Sequence, residues 1–168
     1  LAKQASRAAN NLGQQLLTLD WREGAQRNDF GTASVTPPFA NYQADMSGEA
    51  WIEPVASWAA ESLNQLGFTS DNLSLLGQSW GGAVAGELAE AFGRVNNIIA
   101  LDPASDGKSL IESIPGIEVY DTSYSPETVN FSAHSNHSWA MHTSYFGSRP
   151  SALTADSTFL ADIKNDDW

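Results

Sequence analysis

Gly77-Gln78-Ser79-Trp80-Gly81 places one hydroxyl between two glycines. It directly follows the apolar run Leu73, Leu75 and Leu76 and directly precedes helix formers that end at Gly93. Strand, then G-x-S-x-G, then helix is the setting in which a serine stands at the tip of a sharp turn as a nucleophile. The turn requires a strained backbone, and a side chain at Gly77 or Gly81 is expected to collide with the neighbouring strand or helix. Gly82, Ala83 and Gly86 are small enough to keep that helix close to a sheet. Its first N–H groups and positive dipole end would then face the space beside Ser79, where the oxyanion of an acyl-transfer intermediate forms. The backbone N–H of Trp80, one residue past the nucleophile, supplies one such donor.

A serine hydroxyl is a weak nucleophile until a base takes its proton and an acid orients that base. In a parallel sheet both partners project from the carboxyl ends of later strands, in the order Ser, Asp, His. Two aspartates fit: Asp102, which ends the run Val95–Leu101, and Asp121, which ends the run at Ile117, Val119 and Tyr120. The three histidines fall within nine positions. His134 and His137 precede the last expected strand, at the wrong end of a parallel sheet, whereas His142 lies near its far end and is the candidate base.

The elements that must position these groups follow from periodicity. Residues 1–10 read as an amphipathic helix with Leu1, Ala2, Ala5, Ala8 and Ala9 on one side, stopped at Asn10–Gly13. Leu16, Leu17 and Leu19 suggest a short strand ending at Asp20-Trp21, and residues 22–47, with Pro37-Pro38 and no period, read as a long loop. A helix is expected from Ser47-Gly48-Glu49-Ala50 to Gly67, because Ile52, Val55, Ala56, Ala59, Leu63 and Leu66 recur at helical spacing. Pro54 is tolerated near its first turn. Ser138–Phe146 reads as the last strand, and 147–168 as loop with a hairpin arm around Phe159 and Leu160. Helices alternating with short apolar strands predict an α/β protein with a mostly parallel sheet flanked by helices, in one domain over residues 1–168.

Several of these short runs together resemble the pancreatic-lipase-like branch of the α/β-hydrolases, which holds lipases and A1-type phospholipases. They are Leu76–Gly81, Ala85-Gly86-Glu87, Ala100-Leu101-Asp102-Pro103-Ala104 and Leu19-Asp20-Trp21, in one order with suitable gaps over residues 1–105. The resemblance implies an α/β-hydrolase-like fold and a serine ester hydrolase acting on acyl-ester lipids. It implies Ser79 as nucleophile, Asp102 as the triad acid and the Trp80 N–H in the oxyanion hole. That chemistry needs no cofactor and no metal. The chain departs from the family at Gln78, where His is usual, and at Trp80, where Leu is usual, which puts a larger ring beside the acyl pocket. The family takes its second oxyanion donor from a His-Gly loop before the helix that Leu1 opens, and its base from a His beyond the region matched. The resemblance therefore implies a chain truncated at both ends, completed by the rest of a larger parent chain.

Composition narrows the partners. Twenty acids against eight bases give −12, which argues against nucleic acid or anionic lipid headgroups as electrostatic partners and suits a secreted protein. No apolar stretch reaches membrane-spanning length, so no integral membrane segment is expected. With no cysteine, thiolate chemistry and disulfides are excluded. Asn72, Asn130 and Asn136 open glycosylation-type triplets, and Asp162, Asp166 and Asp167 read as a solvated acidic tail without the spacing of a calcium loop. The alternative to an enzyme is a non-catalytic α/β-hydrolase domain or fragment kept as a structural or binding module.

Overall fold

The computed structural model describes residues 14–22, 51–103, 129–144 and 147–161. Within them, helix α1 (Ile52–Gln65) buries Ile52, Ala56, Ala59 and Ala60, a stripe at i, i+4, i+7 and i+8 that packs on the next helix. It stops where Gly67 takes φ +83°. The Gly67 N–H donates to the Asn64 carbonyl and that of Phe68 to Leu63, each at 3.0 Å, closing the last turn. After a 3-10 turn (Ser70–Asn72) come β1 (Ser74–Gln78), α2 (Trp80–Ala91) and β2 (Val95–Leu101). Then follow β3 (Ser135–His142), the short α3 (Arg149–Ala152) and β4 (Ser157–Leu160).

Among the described residues the result is an α/β arrangement: a four-stranded, all-parallel sheet in the order β1-β2-β3-β4, with helices beside it. Its register carries Gln78 level with Leu101 and Met141, the last paired level before the site. The core lies between one face of the sheet and α1 and α2. Ile98 and Ala100 of β2 and Ala140 of β3 meet Ala83, Val84, Leu88 and Ala89 of α2 there. Gly82 and Gly86 allow the close approach. A Cβ on Gly82 would lie 3.2 Å from Pro103, and one on Gly86 2.8 Å from the Val129 side chain.

Three expectations are corrected. The last long strand ends at His142 and starts three residues earlier than its pattern suggests, because Ser135 is buried and satisfied. The Ser135 hydroxyl donates to the Phe131 carbonyl at 2.7 Å, and Asp156 accepts from the Ser138 amide and hydroxyl at 2.8 Å. Phe159 and Leu160 belong to a parallel strand rather than a hairpin arm. The chain first turns through α3, capped by the Ser148 side chain, and then pairs Met141 with Phe159 in parallel. Leu16 and Leu17 form no strand: residues 14–18 are exposed, and only Leu19 and Trp21 reach the core. The helix at 1–10, the loop at 23–47, the helix start at 47–50, the strand at 117–120 with Asp121, and the acidic tail at 162–168 lie outside the described residues. Among the described residues no helix is long and apolar enough to cross a membrane.

Candidate active site

β1 delivers Ser79 to the carboxyl edge of the sheet, and α2 begins at the next residue. Ser79 has φ 53° and ψ −127°, a region that costs a non-glycine residue about 1–3 kcal/mol. The surroundings hold it there: its N–H donates to the Leu101 carbonyl at 3.0 Å, and its carbonyl accepts from the Gly82 N–H at 2.9 Å. Gly77 makes the turn sterically possible, since a Cβ there would stand 1.9 Å from the Gly81 carbonyl oxygen. Gly81 is different from expectation. A Cβ on it would meet nothing within 4 Å among the described residues, so its small size is not a packing requirement.

Serine at a helix N-cap usually turns its hydroxyl back onto the helix N–H groups. Ser79 occupies the N-cap of α2 and makes no such bond, and the residue is exposed. Its hydroxyl is thus presented to the space above the sheet edge. Trp80 is the first residue of α2, and the first-turn N–H groups of a helix have no intrahelical acceptor. The Trp80 ring leans on Trp21, with centroids 6.4 Å apart and planes at 43°, and both rings pack against the core. Trp21 is flanked by a fork in which Arg22 donates to both carboxylate oxygens of Asp20, at 2.8 and 2.6 Å. That fork lowers the exposed Asp20 carboxyl to about 2.

Asp102 follows β2 with φ 51°, one residue past Leu101. Its N–H donates to the Met141 carbonyl at 2.6 Å, and its Oδ1 accepts from the amides of Thr143 and Ser144 at 2.8 and 3.0 Å. Burial pushes this carboxyl up. The bonds from the Ser144 side chain and from the two amides, with the nearby His142 ring, outweigh that and hold it below the usual aspartate range. Asp102 is therefore a carboxylate at neutral pH.

His142 ends β3, half-buried. Its Nε2 lies 3.2 Å from the Gly147 carbonyl, so the ring donates there through that nitrogen. Gly147 sits close under both groups. A Cβ on it would stand 2.5 Å from Asp102 Oδ1 and 3.1 Å from His142 Cδ2. Across the edge the order is Ser79, Asp102, His142, because each follows a paired level of β1, β2 and β3. Strands about 4.8 Å apart leave Ser79 and His142 separated by about 10 Å, with the carboxylate between them. Among the described residues no hydrogen bond joins the Ser79 hydroxyl to an imidazole.

The other two rings are remote. His134 precedes β3 at the amino end, where its carbonyl accepts from the Val95 N–H and its Nε2 lies 3.9 Å from Glu90. His137 lies within β3, exposed beside Trp139. Thr143, Ser144 and Gly147, the partners that hold Asp102 and His142, carried no signal in the sequence, because backbone amides and a carbonyl do most of the work. No protein-family model matches the chain, and no curated protein sequence matches it.

Proposed function

We propose that this chain is a serine ester hydrolase of α/β-hydrolase type, acting on acyl-ester lipids through an acyl-enzyme. One observation carries the reading: a serine held in a backbone conformation that glycine prefers, at a helix N-terminus it does not cap. Strain of that kind persists where the surroundings fix it and recurs at reactive groups. The resemblance of Leu76–Gly81 and Ala100–Ala104 to the pancreatic-lipase-like branch supports the same chemistry.

In this reading the Ser79 Oγ attacks the ester carbonyl carbon while its proton passes to an imidazole. The carbonyl π electrons move onto oxygen, and the Trp80 N–H stabilises that oxyanion. Collapse expels the alcohol, which takes the proton from the imidazolium, and water then repeats the sequence on the acyl-enzyme to release the acid. The Asp102 carboxylate orients the imidazole and stabilises its charge. The base is His142, whose ring must then leave the Gly147 carbonyl and pass Asp102, or an imidazole outside these residues. An acidic chain with a net charge of −12 suits secretion. Hydrolysis of p-nitrophenyl butyrate, lost in Ser79→Ala with the fold intact by circular dichroism, supports the proposal. Equal rates in the two proteins overturn it.

A second reading, a non-catalytic module of the same architecture, is favoured by the contact between His142 Nε2 and the Gly147 carbonyl. It predicts no covalent reaction at Ser79 under any condition in which the fold is kept.

A further inference from the structure

The side chain of Asp102 continues the sheet where its backbone leaves it. The Asp102 N–H donates to the Met141 carbonyl, the next rung of the parallel ladder after the paired Leu101 and Met141. In a regular ladder the rung after that runs from the Thr143 N–H to the Asp102 carbonyl. With Asp102 at φ 51°, it runs to the carboxylate: the Thr143 N–H donates to Oδ1 at 2.8 Å. The Ser144 N–H reaches the same oxygen at 3.0 Å, and the Ser144 hydroxyl donates to this carboxylate as well. These donors directly follow His142 on the chain that leaves β3.

The donors are not equivalent. The last torsion of an aspartate is broad and roughly two-fold, so a carboxylate does not keep its plane unaided. The two amides anchor one oxygen and belong to the backbone. The hydroxyl is the donor that a side-chain change can remove, and it sits on a half-buried residue whose own backbone is held. The Ser144 carbonyl accepts from the Gly147 N–H at 3.4 Å, and the next residue, Ser148, donates its N–H to the Pro103 carbonyl. Asp102 thus lies between Ser144 on one side and Gly147 on the other, where even a Cβ would stand 2.5 Å from Oδ1.

We propose that Ser144 is a positioning residue for Asp102, its hydroxyl setting the direction in which the carboxylate meets an imidazole. This rests on the hydrolase reading, in which that imidazole takes the Ser79 proton. Ser144 acts through Asp102, so its loss slows the chemical step and leaves substrate binding as it was. The effect is large for one hydrogen bond, because a misplacement of about 1 Å in a catalytic array costs up to about a hundredfold in rate.

Two measurements on the full chain test this, and one of them needs no turnover. In Ser144→Ala, carbon NMR should show the Asp102 carboxyl titrating at higher pH than in the parent, because a donor to its charged form is gone. Ser144→Thr keeps the hydroxyl and should restore the parent titration. Labelling of Ser79 by a fluorophosphonate should slow by about tenfold or more in Ser144→Ala and recover in Ser144→Thr. With p-nitrophenyl butyrate, kcat should fall by a similar factor while KM stays within about twofold of the parent. If Ser144→Ala does not fold, Ser144→Cys, a weak donor of similar size, takes its place. An unmoved titration, or one that Ser144→Thr does not restore, overturns the proposal. So does labelling of the parent that proceeds equally fast in Ser144→Ala, which leaves the hydrolase reading standing. A parent that is never labelled overturns that reading and, with it, the role of Ser144.

Discussion

Ser79 and Asp102 leave neighbouring parallel strands one residue beyond the paired Gln78 and Leu101, and both do so with positive φ, 53° and 51°. The Ser79 N–H donates to the carbonyl of Leu101, the residue before Asp102, so one ladder bond fixes the distance between a hydroxyl and a carboxylate. Two non-glycine residues held this way at one sheet edge cost stability that the rest of the core must offset.

That cost is measurable. Ser79→Gly should raise stability by about 1–2 kcal/mol in urea unfolding, because glycine takes the same φ and ψ without strain. An unchanged or lower midpoint would show that the turn is not strained by its serine.

Gly77→Ala should do the reverse. The added methyl would meet backbone, the Gly81 carbonyl at 1.9 Å, and backbone cannot step aside as a side-chain tip can. We expect a loss of more than about 3 kcal/mol or failure to fold. Gly81→Ala, with nothing in its way among the described residues, should fold with a stability within about 1 kcal/mol of the parent. Comparable losses in both variants would contradict the account of the turn.

Glu87 on α2 sets a pH dependence. Burial, with the charges of Glu90 and Glu53, raises its carboxyl from 4.5 to about 7. A carboxyl raised on folding binds its proton more tightly in the native state, so its favourable contribution is complete below about 4.5 and is lost as pH rises through about 7. Glu87→Gln should therefore stabilise the protein at pH 8 relative to pH 5, by about 1–2 kcal/mol once solvent screening at a half-exposed site is allowed for. Thermal melts of the two proteins at both pH values test this, and a difference that grows toward low pH would refute it.

The cradle of Asp102 has its own signature. Its lowered carboxyl contributes stability that is present above the ordinary aspartate range and lost as pH falls through its folded value. Gly147→Ala intrudes on both Asp102 and His142. It should move the Asp102 carboxyl titration, followed by carbon NMR, upward toward an ordinary aspartate. An unmoved titration would show that the turn does not set the charge.

Much of this architecture was legible in the chain. The alternation of helical and strand periods, the run Val95–Leu101 and the helix between Trp80 and Gly93 depend on local pattern, and the structure follows them closely. What pattern missed depended on contacts that periodicity does not carry. Ser135 looks like a loop residue until the Phe131 carbonyl satisfies its hydroxyl. The direction of β4 was fixed by a four-residue helix too short to show a period. The site divides in the same way. Ser79 and Asp102 stood out by residue type and spacing, whereas the order in which Ser79, Asp102 and His142 line the edge comes from strand order, which no single motif encodes.

The central claim is that Ser79 is a nucleophile, and intact mass spectrometry after treatment with a fluorophosphonate tests it most directly. Displacement of fluoride by the Ser79 oxygen should leave one phosphonyl group per chain, mapped by digestion to the peptide containing Ser79 and absent in Ser79→Ala. A folded protein that gains no mass, or gains it equally in Ser79→Ala, would contradict the account.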